Sequence, residues 1–211
     1  MNARLRGQPT HRKPYDADTL VDVAVRVFNE RGYDGTSMDD VARAAGITKA
    51  SIYYHVSGKE DLLDRGIRRG LDALFGMLDE PAASGGTAET RLRYVLLRTV
   101  ELMSEQMPEV TLLLRVRGNT ETERWALERR RTFNRRIAEL VQAAMDEGAL
   151  RSELEAGLVA RLLFGMVNSI VEWYRRDGRL GPDDVANAIQ RIVFDGLALN
   201  PRQAARHTPS A

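Results

Sequence analysis

Apolar residues recur at intervals of three and four along almost the whole chain, which is the spacing of one face of an α-helix. The first such run follows Asp16 and consists of Leu20, Val23, Ala24, Val27 and Phe28. Asp16 stands where a helix N-cap is expected and Gly32 follows the run, so the pattern predicts a helix that ends at about Arg31. No alternating strand pattern is sustained anywhere. The sequence therefore predicts an all-α fold.

Two short helices separated by a tight turn are predicted between Ser37 and Lys59. Ser37 and Asp40 have the spacing of a capping box, in which a hydroxyl and a carboxylate accept from free amides of the first turn. Gly46 readily takes the left-handed conformation that ends a helix, and Thr48 is a natural N-cap for the next one. This arrangement is typical of a helix-turn-helix.

The second of these helices combines a narrow apolar face, Ile52 and Val56, with a polar and aromatic remainder that includes Lys49, Ser51, Tyr53, Tyr54 and His55. Such donors suit a DNA major groove, where base edges and phosphates accept hydrogen bonds. We expect Lys49 to contact base edges, with Ser51 and Tyr53 sharing base and phosphate contacts. The DNA backbone would be held mainly by Thr36, Thr48, Tyr54, His55 and Lys59, with packing inside the domain as the alternative for Tyr54.

A second capping box, Ser57 to Glu60, is predicted to open a long fourth helix that continues to Leu78. Residues 81–86, PAASGG, are the clearest helix breaker in the chain and are expected to end that helix. Further helical patterns follow at about Ala88 to Gln106, Pro108 to Arg117, Thr120 to Glu147, Leu154 to Arg176 and Pro182 to Leu199.

The stretch AVRVFNERGYDGTSMDDVARAAGITKASIYYHVSGKEDLL closely resembles the DNA-binding domain of the TetR family of bacterial transcriptional regulators. The resemblance covers about Asp16 to Leu63 and includes the Gly46 turn and the Tyr53-Tyr54-His55 run. It implies a helix-turn-helix domain over residues 15–62, joined by the fourth helix to a helical ligand-binding and dimerisation domain over 63–199. Residues 1–14 are expected to be a flexible basic arm that follows DNA phosphates, enters a minor groove or stays solvated, and 200–211 a flexible tail.

The segment from Leu154 to Arg176 is apolar around much of its circumference, so it should be buried on more than one side. The final helix has a similar pattern, and a two-fold interface built from both helices would cover them, as the resemblance to TetR regulators also implies. A homodimer is therefore expected. Asn168 and Glu172 interrupt the apolar pattern beside Trp173, and they would either bridge the dimer interface or orient a ligand in an apolar pocket.

Eight arginines against three glutamates give residues 115–136 a local charge of about +5. This pattern fits a solvated helix face with Glu–Arg pairs, or a site for a phosphate-bearing ligand. The stretches GMVNSIVEWYRRDG, LLLRVRGNT and ERRRTF are similar to TetR regulators that respond to acyl-CoA thioesters. That similarity implies that arginines meet the CoA phosphates and an apolar pocket holds the acyl chain. The candidate ligand residues are Arg115, Asn168, Glu172, Trp173 and Arg176.

Composition excludes several other classes. The chain has no cysteine, so disulfides and thiolate sites are excluded, and its three histidines are not placed for acid–base catalysis. No cofactor, metal site or catalytic residue is predicted, and we expect no apolar run to approach the length that spans a bilayer. We expect a cytoplasmic, ligand-responsive repressor that binds a palindromic operator. The alternatives are a regulator that senses an uncharged hydrophobic molecule and, last, a helical enzyme acting on a CoA ester.

Overall fold

A computed structural model describes residues 16–196. Within that range all regular structure is helical, and the chain divides into two compact units, one ending at Leu63 and the other beginning at Asp64. The helices are α1 (Ala17–Arg31), α2 (Met38–Ala45), α3 (Lys49–Tyr53), α4 (Lys59–Leu78), α5 (Pro81–Ser84), α6 (Ala88–Glu105), α7 (Met107–Arg115), α8 (Glu121–Asp146), α9 (Ala156–Asn168), α10 (Ile170–Trp173) and α11 (Pro182–Phe194). The prediction of an all-α fold is confirmed.

The first unit is built around α1, which is capped by Asp16 and buries the apolar face predicted from its periodicity. Phe28 at its end packs edge-to-face against Tyr33, with ring centroids 5.2 Å apart. The capping box of Ser37 and Asp40 opens α2, and Gly46 ends it with a φ of 67°. The predicted caps and turn of the helix-turn-helix are therefore present, since each depends only on neighbouring residues.

The second unit is a bundle in which α8 packs against α6 and α9, while α11 packs against α6. Three aromatic rings cross its core edge-to-face, with Phe133 lying 5.9 Å from Phe75 and 5.3 Å from Phe164 between centroids. The buried side of α8 follows the intervals of three and four expected of a helix in a bundle.

Several predicted boundaries were wrong. The amide and hydroxyl of Ser57 both bind the Asp61 carboxylate, so Glu60 does not form the predicted capping box. The fourth helix ends at Leu78, before the breaker at 81–86, as predicted. The breaker also contains the short helix α5, which was not predicted; Pro81 fits its first position because proline has no N–H group to leave unpaired there. The final helix ends at Phe194 rather than Leu199. The predicted arm and tail, 1–14 and 200–211, lie outside the described residues.

The single long helix predicted from Leu154 to Arg176 is divided at Ser169 into α9 and α10. The Ser169 hydroxyl donates to the Met166 carbonyl at 2.7 Å and accepts from the Trp173 indole at 3.3 Å. A hydroxyl that binds its own backbone in this way competes with regular helix hydrogen bonding. Apolar periodicity continued across the division and did not reveal it.

Residues Ala156–Trp173 are long and apolar enough, by composition, to cross a membrane, so the expectation that no run approaches that length was wrong. The segment is nevertheless divided into α9 and α10. The 13 residues of α9 rise about 20 Å at ~1.5 Å per residue, which is shorter than the ~30 Å hydrocarbon core of a bilayer.

Candidate functional site

The surface of α3 in the first unit separates cleanly into a buried side and an exposed side. Ile52 and Val56 are buried, with 0% and 4% of their surface accessible. Tyr53 is half-exposed, Tyr54 is 88% exposed, and His55 is also exposed. Because Tyr54 is so exposed, it does not pack inside the domain, which was the alternative role predicted for it. The residues predicted to read DNA thus form one solvent-facing surface, whereas the apolar residues hold the helix in place.

The start of α3 is fixed by Thr48, whose hydroxyl accepts from the Ser51 amide at 3.2 Å and lies 2.8 Å from the Ser51 hydroxyl. Lys49, the predicted base contact, forms an ion pair with Asp39 of α2, with 2.9 Å between Nζ and the carboxylate. The hydrogen bond to Asp39 raises the pKa of Lys49. Lys49 is charged at neutral pH, and a DNA acceptor would compete with Asp39 for it.

Asp40 ties α2 to its surroundings through several hydrogen bonds. One carboxylate oxygen accepts from the amide and hydroxyl of Ser37, and the other accepts from Arg31 at 2.9 Å and Arg43 at 3.0 Å. The Ser37 hydrogen bonds, with the two arginines, lower the pKa of Asp40 to about 2. The charged form of Asp40 therefore stabilises the helix-turn-helix.

Two residues predicted to hold the DNA backbone are engaged inside the first unit. Thr36 is 3% exposed and its hydroxyl donates to the Gly32 carbonyl at 2.7 Å, so its predicted side-chain contact with DNA is corrected to a structural role. Lys59 donates to the carbonyls of Tyr33 and Thr36, both at 2.9 Å, and its Nζ lies 4.2 Å from the Tyr33 ring centroid. Its phosphate contact stays a prediction, and it would require one of these interactions to be replaced.

The second unit contains a small cavity of about 50 Å³ between its helices. Most of its wall is apolar and includes Leu71, Met103, Leu113, Phe133 and Phe164. Its polar lining is Thr99, Arg130, Asn134 and Asn168. Thr99 is engaged within the protein, since its hydroxyl donates to the Val95 carbonyl at 2.7 Å. Because ligand sites commonly measure ~300–1,000 Å³, side chains must move to admit a ligand of more than a few atoms.

Two family descriptions match the two parts of the chain. Residues 20–65 match "Bacterial regulatory proteins, tetR family", and residues 85–197 match "Tetracyclin repressor-like, C-terminal domain". The chain belongs to the TetR family. The predicted family is therefore confirmed, and this TetR-family protein is a DNA-binding transcriptional regulator.

Its relatives include both repressors and solved regulators. The transcriptional repressor KstR2 of Rhodococcus jostii (strain RHA1) is 32% identical over 182 residues, covering 85% of this chain and 89% of that protein. The crystal structure of SCO3833, a TetR-family member from Streptomyces coelicolor A3, is 54% identical with a TM-score of 0.83 and covers 92% of this chain and 97% of that one. AibR, solved with isovaleryl coenzyme A and operator DNA, is 26% identical with a TM-score of 0.74, covering 84% of this chain and 97% of that one. These relatives support the predicted function of a ligand-responsive repressor.

Only one of the five predicted ligand residues of this TetR-family regulator lines the cavity, and it is Asn168. Glu172, Arg115 and Arg176 are exposed, and Trp173 is half-exposed and bonded to Ser169. The division at Ser169 separates Asn168, which ends α9, from Glu172 and Trp173 in α10. The predictions for these four residues are corrected in one respect, because none of them lines this cavity.

Arg130 lines the cavity, but it was not among the predicted ligand residues. It lies on the buried side of α8, four residues after Ala126 and three before Phe133. An arginine at a position of the apolar stripe was the available signal, and it was hidden by the surrounding arginines. Burial lowers the pKa of its guanidinium, which still remains charged.

The other arginines of α8 do not act as one uniform surface. Arg129 lies 4.0 Å from the Phe75 ring centroid, and Arg136 pairs with Asp79 at 3.5 Å. Arg124 donates to the Gly118 carbonyl at 3.4 Å. Part of the positive charge is therefore used in contacts within the second unit.

Proposed function

We propose that this chain is a homodimeric cytoplasmic repressor that binds a palindromic operator and is released by a small acyl effector, an acyl-CoA thioester. Residues 15–62 would form the DNA-binding domain, and residues 63–199 the ligand-binding and dimerisation domain. The observation that carries the proposal is the surface of α3, whose apolar residues are buried while its lysine, tyrosines and histidine face solvent. A helix with this division can enter a major groove without unfolding its domain.

In the proposed complex, Lys49 leaves Asp39 and donates to a base edge, since a lysine pairs well with guanine acceptors. Tyr53, Tyr54 and His55 lie along the exposed side and reach bases and phosphates. Thr48 and Ser51 are already bonded to each other, so they fix the start of α3 and have remaining acceptor or donor capacity for a phosphate or bridging water.

A second copy of the chain is the proposed partner of an exposed apolar surface on α9. Leu158 and Leu162 lie one turn apart and are 43% and 65% exposed, although the opposite side of α9 is buried. Ile192 of α11 is also exposed, at 38%. An isologous contact would remove this surface from water, and the dimer would place two reading helices on the half-sites of a palindrome.

The dimer is tested by substituting Leu162 with glutamate and measuring molar mass by light scattering after size exclusion. The 23.7 kDa chain is expected at twice its mass in the wild type and closer to one mass in Leu162→Glu. Ser152→Glu adds the same charge at an exposed position outside α9 and serves as the control. A wild-type monomer, or a mutant that dimerises equally well, would count against this interface.

The proposed effector follows from an apolar cavity close to a helix rich in arginine. An acyl chain suits the apolar wall, and arginines suit phosphates because their planar donors match phosphate oxygens. The relative solved with isovaleryl coenzyme A and operator DNA supports the same class of effector. Release follows if the effector favours a dimer whose reading helices are spaced wrongly for the operator, by no more than its differential affinity for the two states.

The experiment has two stages. Selection of bound genomic fragments would define the operator, and fluorescence anisotropy would measure its affinity against a scrambled duplex across salt concentrations. A panel of acyl-CoA thioesters, free CoA and free acids would then be screened by thermal shift and tested for release of the operator. Equal affinity for operator and scrambled DNA would refute the sequence-specific repressor.

The second candidate is a regulator that senses an uncharged hydrophobic molecule, and it is favoured by the mostly apolar wall of the cavity. The panel separates the two candidates. A thermal shift and operator release caused by apolar compounds, with none from thioesters, would select this second function. The α8 arginines would then be a solvated helix face and not a phosphate site.

A further inference from the structure

The cavity of the second unit contains a positive charge that its own wall does not neutralise. Arg130 lines this mostly apolar space, and no aspartate or glutamate is among its lining residues. Within the described part of the chain Arg130 makes one hydrogen bond, from Nη1 to the Leu113 carbonyl at 3.3 Å. A guanidinium has five N–H donors, so most of its donors have no protein acceptor.

Two amide side chains face the same space. Asn134 lies one helical turn after Arg130, and Asn168 approaches from the end of α9. Neither side chain forms a hydrogen bond to another described residue. Arg130 and Asn168 are half-buried and Asn134 is exposed, so the three side chains lie where the cavity meets solvent. Three sets of donors around one mostly apolar space suit an acceptor oxygen supplied from outside the protein.

A purely packing role for Arg130 explains less. Position 130 belongs to the apolar stripe of α8, between Ala126 and Phe133, where leucine or methionine would fill the space at no cost in desolvation. Arg130 is half-buried at this position, and this burial lowers the pKa of its guanidinium. The aromatic rings of Phe133 and Phe164, 5.3 Å apart, form an apolar part of the same wall.

We infer that Arg130, with Asn134 and Asn168, binds an acceptor oxygen of the effector, a carbonyl or a carboxylate, in this mostly apolar cavity. The inference rests on the proposed function in taking the cavity as the effector site. It restricts the effector to molecules whose apolar group, bound in the cavity, carries an oxygen acceptor. A hydrocarbon group of the same size would leave most of the guanidinium donors without an acceptor, and sites with polar donors reject such analogues strongly.

The acceptor oxygen has two sources in an acyl-CoA, namely the thioester carbonyl and an oxygen farther along the acyl group. Three probes separate them: S-hexyl-CoA, a thioether without acyl oxygen; hexanoyl-CoA, with the thioester carbonyl; and adipoyl-CoA, which adds a terminal carboxylate. The same three groups on N-acetylcysteamine lack the CoA phosphates and report on the cavity alone. Dissociation constants would be measured by calorimetry with the full-length protein.

We expect the wild type to bind at least one oxygen-bearing probe roughly tenfold or more tighter than the S-hexyl probe in the same series. Arg130→Met should remove that difference while leaving S-hexyl binding unchanged or stronger, because methionine fills the space without a charge. Arg130→Lys should retain part of the preference, since a positive charge with three N–H donors remains, although without the planar geometry of the guanidinium. Arg151→Met removes an exposed arginine of the same unit and should leave every constant unchanged.

The outcomes separate this inference from the proposed function. Equal wild-type affinity for all three probes, no binding in either series, or an oxygen preference that survives in Arg130→Met would overturn the inference. A preference seen with N-acetylcysteamine probes and not improved by CoA would support the inference and count against a CoA thioester as the effector. Where Arg130→Met has lost its fold, judged by its melting curve, Asn134→Ala and Asn168→Ala decide, and a preference kept in both variants would overturn the inference.

Discussion

Substitution of Ile52 should distinguish the buried residues that hold α3 in place from the exposed residues proposed to contact DNA. The helix α3 has five residues, too few to be stable through its own hydrogen bonds. Ile52 is completely buried and, with Val56, attaches α3 to the first unit. Ile52→Ala deletes three carbon atoms, which corresponds to a transfer term of about 2.4 kcal/mol at ~0.8 kcal/mol per methylene, and a residual cavity raises the cost to roughly 2–5 kcal/mol.

The assay is hydrogen exchange of the amides of residues 49–56, because it reports the free energy of local opening at α3 itself. Ile52→Ala should lower protection there by ~30-fold or more, whereas Ile52→Val, which deletes one carbon, should cost about 0.5–1.5 kcal/mol. Operator affinity should fall in proportion to the fraction of molecules in which α3 remains packed on the first unit.

Tyr54→Ala is the matched variant, since Tyr54 belongs to the same segment and is 88% exposed. It should leave protection of residues 49–56 within about 0.5 kcal/mol of the wild type and still weaken operator binding. If Ile52→Ala changed the opening free energy by less than about 0.5 kcal/mol, Ile52 would not anchor α3. If Tyr54→Ala left operator affinity unchanged, the exposed side would not be the reading surface at that position.

Two further predictions concern charges of the helix-turn-helix. Lys49→Ala should lower the preference for the operator over a scrambled duplex by roughly 5- to 150-fold, measured by competition anisotropy; equal loss on both duplexes would make Lys49 a phosphate contact. The pKa of Asp40 is lowered from 3.8 to about 2, so its stabilisation is complete above about pH 4 and is lost as the pH falls towards 2. The melting temperature of Asp40→Asn should therefore fall less steeply than that of the wild type over this interval, and parallel curves would show that Asp40 is not the acid-sensitive group.

The predictions that succeeded rest on interactions between residues close in the chain. Asp16, Ser37 and Thr48 cap α1, α2 and α3 as expected, and Gly46 takes the left-handed conformation, since each of these depends on atoms within a few residues. The helical spacing of apolar residues likewise predicted which side of α3 is buried. A pattern of this kind needs no knowledge of the partner surface.

The predictions that failed depended on choices between equally plausible local partners. Ser57 could bind Glu60 or Asp61, and the structure selects Asp61. Ser169 could remain within one long helix, yet it binds the Met166 carbonyl and divides the segment, which removes Trp173 from the cavity predicted beside Asn168. The apolar periodicity of the segment is the same whether it forms one helix or two, so the periodicity could not reveal the division at Ser169.

The sequence by itself determined the family, the all-α fold and the exposed side of α3 that is proposed to contact DNA, because these follow from helix periodicity, capping and a specific run of residues in one short segment. Only the tertiary structure decided which polar residues share the cavity. Arg130 and Asn168 are 38 positions apart in the printed sequence and meet because α8 packs against α9. The same packing distinguishes Arg130 from the neighbouring arginines, since burial depends on what lies across the helix and not on the residues beside it in the chain.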